Sequence, residues 1–140
     1  EMQPTSNVSW RSFDKRWRRL RLRALLEHLD EKRLLAELLR KSAVDDFEAV
    51  VAVRMLRDAG RSRDAITQAE QWIRALPRSP VLADALFDLY CEDGWDEEAL
   101  ALATTHYGYD PHPMWIEKLG RLPLPAAKAQ IKVWKKQQAA

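Results

Sequence analysis

Gly60, Ala65 and Pro77 recur as Gly94, Ala99 and Pro111, each pair separated by 34 positions. With them recur Ala49/Ala83, Asp58/Glu92, Asp64/Glu98, Ile66/Leu100 and Ala69/Ala103 at the same offset. A unit of this length that repeats Gly, a small residue and Pro at fixed positions predicts stacked helical hairpins, each burying its apolar face only against its neighbours. The predicted fold class is therefore all-α, an α-solenoid of antiparallel helical hairpins, with an irregular helical bundle as the alternative. Surfaces of that kind bind macromolecules more readily than they perform chemistry.

The spacing of apolar residues predicts where the helices run. Trp10, Phe13, Trp17, Leu20 and Ala24 alternate steps of three and four, with arginines on the other faces. Asp30 is placed to cap a second helix carrying Leu34, Leu35, Leu38 and Leu39, and Ser42 with Asp45 to open a third through Phe47, Val50, Val51, Met55 and Leu56. Gly60 ends it, because a residue without a Cβ tolerates the left-handed position after a helix, and Gly94 does the same for the next hairpin. Ser62 and Asp96 are read as caps of the fourth and sixth helices, and Ser79-Pro80 as the start of the fifth. A short helix around Trp115, Ile116 and Leu119 precedes a last one opened by Pro125. Residues 1–8 are polar and read as a disordered lead-in, and 9–138 as a single domain. Glu1 before Met2 is read as a leftover residue ahead of a native start, or as the edge of an excised domain.

The Pro80–Pro113 unit, with Leu86, Tyr90, Gly94, Ala99 and Pro111, resembles the tetratricopeptide repeat, a helix-turn-helix unit of the same length. Asp46–Ser79 matches at Gly60, Ala65 and Pro77 but has Leu56 where Tyr is usual, and Ser12–Asp45 fits by length and helical pattern. Ala83 and Ala103 stand where the family has bulky residues. The resemblance implies about three such units plus a C-terminal capping helix. It also implies a groove lined by the first helix of each unit, at Arg16, Leu20, Arg23, Val50, Arg54, Arg57, Asp58, Asp84, Asp88, Cys91 and Glu92. Within that set, Arg16, Arg23, Arg54 and Arg57 form a basic half for a carboxylate-rich segment, since a guanidinium fork accepts two carboxylate oxygens at once. Asp84, Asp88 and Glu92, at steps of four, form an acidic half, or else pair internally with Arg54 and Arg57.

The net charge of +2 conceals segregation. Arg11–Arg23 holds seven basic residues against Asp14 alone, Ser79–Glu117 has no Lys or Arg, and Lys118–Lys136 has no acid. The implied partner is a protein or peptide held by opposite charges, the chain acting as an adaptor, assembly factor or chaperone. The same polarity permits salt-dependent self-association. The basic first helix keeps RNA or DNA open as the second class of partner, less favoured because the acidic middle repels phosphate. A structural domain of a larger regulator is the third reading. His28, His106 and His112 show no metal-ligand spacing with Cys91, and there is no glycine-rich phosphate loop or nucleophile motif. The expectation is no enzyme, cofactor or metal. At 46% hydrophobic and 31% charged residues the chain is too apolar to be disordered throughout. A single cysteine and no apolar run of about 20 residues point to a cytoplasmic protein without a membrane span.

Overall fold

A computed structural model of the chain describes residues 10–26, 31–41 and 43–139, with the side chains of 10, 12, 21–26, 31 and 32 outside the description. The lead-in 1–8, the Asp30 cap and the Ser42 start signal all lie outside the described residues. The fold is all-α, with eight helices and no strand among the described residues. They are α1 (Trp10–Leu26), α2 (Glu31–Arg40), α3 (Asp46–Asp58), α4 (Ser62–Ala75), α5 (Pro80–Glu92), α6 (Asp96–Tyr109), α7 (Pro113–Leu119) and α8 (Pro125–Ala139). None is long and apolar enough to cross a membrane. The chain divides into two compact units, Glu1–Leu86 and Phe87–Ala140, the division falling inside α5.

The 34-residue offset of the sequence is carried by the backbone. The bounds of α3 and α4 become those of α5 and α6 when shifted by one period. Asp45 accepts a hydrogen bond from the Glu48 amide at 2.8 Å, and one period later Ser79 Oγ accepts one from the Leu82 amide at 3.2 Å. Glu48 returns the contact to the Asp45 amide at 3.1 Å, completing a capping box. Gly60 and Gly94 both have φ of 79°. Around each, the amide of the next residue reaches back to the carbonyl five positions earlier, Arg61 to Leu56 at 2.9 Å and Trp95 to Tyr90 at 2.7 Å. The glycine amides meanwhile reach Arg57 and Cys91. This pair of bonds is the Schellman ending, which satisfies carbonyls that the finished helix leaves open. At the second turn the Trp95 ring also stacks on Tyr90, centroids 5.9 Å apart, and is half-buried.

The caps of α4 and α6 differ from expectation. Their N-cap residues are Arg61 and Trp95, without a side-chain cap bond, and Ser62 and Asp96 are the first helical residues. The reason is the tightness of the turn: the residue that closes the Schellman ending already serves as the cap of the following helix. Asp96, Glu97 and Glu98 still occupy the first turn of α6, where the helix dipole favours them.

A Cβ added at Gly94 would meet no atom within 4 Å, so the cost of Gly94→Ala is that of the left-handed backbone alone. We expect a loss of about 1 kcal/mol. A thermal melt unchanged or raised by the substitution would show that the turn does not need glycine.

In the first unit α3 is buried almost all round. Ala49, Val50, Val51, Ala52, Val53 and Leu56 are each 1% exposed or less, and α3 packs against α2 and α4. On α4, which packs against it, the buried residues are Ala65, Ile66 and Ala69, and the two alanines leave room for close approach of a neighbouring backbone. In the second unit α7 packs against α6 and α8. Trp115 on α7 is 2% exposed, edge-on to Phe87 at 6.2 Å and tilted on His106 at 5.9 Å. Trp134 on α8 stacks on Tyr107 at 3.9 Å, and Gln138 donates to the Tyr107 hydroxyl and the Pro111 carbonyl.

Candidate functional site

The expected groove residues fall in both units: Arg16, Arg23, Arg54, Arg57 and Asp84 in the first, Asp88 and Glu92 in the second. The side chain of Arg23 lies outside the described residues.

In the first unit, α1 and α3 meet through alternating arginine and aromatic groups. The Arg16 guanidinium lies over the Phe47 ring at 4.2 Å and that of Arg54 over the Phe13 ring at 4.8 Å. The two rings tilt against each other at 5.4 Å, and Trp17 stacks beside Phe13 at 6.5 Å. Each cation over a ring contributes about 0.5–2 kcal/mol, depending on how much water is excluded. Arg16 also sits 3.8 Å from the Asp45 carboxylate. Two of the four expected basic groove residues therefore hold α1 to α3. Arg57 bridges its neighbour Asp58 at 3.3 Å.

In the second unit Asp88 joins two helices. Its Oδ1 accepts from Lys118 Nζ at 3.0 Å and from Arg121 at 3.3 Å, tying α5 to α7 and the turn that follows it. The Lys118 side chain is 8% exposed and lies over the Phe87 ring at 4.9 Å. Burial, with the like charge of Arg121 added, pushes its pKa down to about 8. Asp88 thus pairs internally with Lys118 and Arg121, which stand 30 and 33 positions downstream.

Burial, with Asp88 and Asp96 adding negative charge, pushes the Cys91 thiol up to about 11, leaving it protonated and unreactive at neutral pH. Burial holds His106 neutral, its pKa down to about 4. Among the described residues no group of three or more His, Cys, Asp or Glu could hold a metal ion.

The second unit also carries a groove between α7 and α8. Pro113, Ile116 and Glu117 on α7, Gly120 at its C-cap, and Ile131 and Lys135 on α8 line an open, mainly apolar groove of about 430 Å³. The step of three and four along α7 was legible, but which face α8 would leave open was not.

Comparison with family models, with curated proteins and with solved structures finds no match to the chain.

Proposed function

We propose that the chain is a polypeptide-binding module, a tetratricopeptide-like α-solenoid that serves in the cytoplasm as an adaptor, assembly factor or chaperone. The observation that carries the reading is the backbone repeat: two successive hairpins share helix bounds, N-cap bonds and a left-handed glycine turn at one 34-residue offset. A hairpin that is already folded offers a preformed helical surface, so a bound segment orders itself on a scaffold that does not have to reorganise. Arg16, Arg23, Arg54 and Arg57 are its basic contribution and Asp84, Asp88 and Glu92 its acidic one. Opposite charges set the orientation and encounter rate of the partner more than its final affinity. The same polarity supports salt-dependent self-association, which sedimentation at low and high salt would detect.

The contacts of the arginines decide how the reading is tested. Arg54 lies over Phe13, so Arg54→Glu would disturb the α1–α3 packing as well as the surface. Arg57, which bridges exposed Asp58, is the probe used instead. Partners recovered on the immobilised chain, with and without nuclease, are to be purified and their binding measured directly. We expect Arg57→Glu to slow association and weaken a protein partner by roughly several-fold while helical content is unchanged. An unchanged affinity would remove Arg57 from the binding surface. Partners that disappear with nuclease would replace the reading with nucleic-acid binding.

A further inference from the structure

We infer that the α7–α8 groove is a docking site for an acidic amphipathic polypeptide helix, separate from the first-helix surface. The floor of the groove is apolar: Pro113 and Ile116 come from α7 and Ile131 from α8, with Gly120, just after α7, also lining it. The residues contributed by α7 fall at steps of three and four, the spacing of one helical face, while its opposite face buries Trp115, Lys118 and Leu119. The wall contributed by α8 carries Lys135 at the edge of a lysine ladder. Lys135 lines the groove, and Lys128, Lys132 and Lys136 share its side of the helix within roughly 100° of arc and about 12 Å of length. All four are exposed, none forms an ion pair with a described residue, and α8 contains no acid. An apolar slot with one uncompensated cationic wall is complementary to a helix that carries an apolar ridge and a carboxylate flank. Glu117 on the facing wall sets the orientation, because it repels the acidic flank and accepts a cationic one.

Other occupants fit less well. A nucleic acid would place phosphates against Glu117 and over an apolar floor. A membrane-lying helix needs apolar groups protruding beside its lysines, whereas Ile116 and Ile131 are half-buried in a concavity and exposed Val133 lies on the other side of α8 from Lys135. A second copy of this chain offers acid at the start of α6. The exposed residues that follow there, Ala101, Thr104, Thr105 and Gly108, supply no apolar ridge.

The test begins by selecting a random peptide library displayed on phage against the full chain, then measuring the enriched peptides by fluorescence anisotropy. Phosphatidylserine-containing vesicles, a single-stranded oligonucleotide and sedimentation of the chain alone are the competing arms. The expected consensus has apolar residues at steps of three and four with Asp or Glu on one flank. Binding should fall about tenfold or more in the triple variant Lys128→Glu, Lys132→Glu, Lys135→Glu, and also in Ile131→Asn. Arg57→Glu should leave it unchanged, so that failure here and failure of the first-helix surface are told apart. The inference is overturned if no peptide is enriched, if the consensus is neutral or basic, or if the triple variant binds as well as the wild type. It is equally overturned if vesicles, the oligonucleotide or a second copy engage these lysines more tightly than the peptides do.

Discussion

Replacing Trp115 with Ala should destabilise the second unit by about 3–5 kcal/mol, the range for emptying a fully buried tryptophan site. The indole is the wedge between three helices, touching Phe87 on α5 and His106 on α6 from its place on α7. A helix as short as α7 has little stability of its own, so its helical state depends on this packing. The substitution carries a second readout. His106 has its pKa at about 4 because burial strips water from the charged form. A cavity beside the imidazole admits water, and the pKa should rise toward the ordinary value near 6.5. Urea unfolding together with hydrogen exchange should show α7 and α8 losing protection while α3 and α4 keep theirs. Trp115→Phe, which retains a ring, should lose less. A cost under about 1 kcal/mol with an unmoved His106 titration would mean that the cluster of Phe87, His106 and Trp115 is not the core of this unit.

How much of this was legible in the sequence depends on whether the cause is local. The glycine turns were readable because a left-handed residue after a helix is a property of a few consecutive residues, and Gly60 and Gly94 carry it themselves. The caps beside them were misplaced by one residue. Ser62 and Asp96 have the right chemistry, but the Schellman ending fixes Arg61 and Trp95 as the caps first. Arg16 and Arg54 were seen as surface charges because their stacking on Phe47 and Phe13 depends on how α1 lies against α3, which no short window encodes. The contacts of Asp88 with Lys118 and Arg121 were hidden for the same reason. Both residues stand about one repeat downstream, in a segment where the glycine and proline pattern of the repeat has lapsed.

Asp88→Ala should cost about 2–3 kcal/mol at pH 7, and the cost should shrink as pH rises. The size follows from what the carboxylate leaves behind: a nearly buried ammonium and a guanidinium, like charges converging on the place where Asp88 Oδ1 had joined them. Asp88 is itself about a third exposed, which keeps the figure below that of a fully buried pair. The pH dependence follows from Lys118, whose pKa in the folded chain is about 8 against 10.5 in the unfolded one. Below pH 8 both states hold the proton, and the folded state bears the full penalty of a desolvated charge. Between about 8 and 10.5 the folded state releases the proton and the unfolded state keeps it, so this group's contribution to stability rises with pH. Once Lys118 is neutral, the loss of Asp88 no longer strands a charge on it, and at about pH 9.5 the penalty of Asp88→Ala should be roughly halved. Lys118→Met removes the ammonium at similar length and should be close to neutral, because burial of the charge offsets most of what the bridge contributes. The double variant should therefore recover most of what Asp88→Ala loses, a coupling that a two-mutant cycle measures directly. Urea denaturation of the four proteins at both pH values decides the matter. If Asp88→Ala costs the same at each pH, or if adding Lys118→Met restores nothing, Asp88 stabilises the unit by some means other than its bond to Lys118.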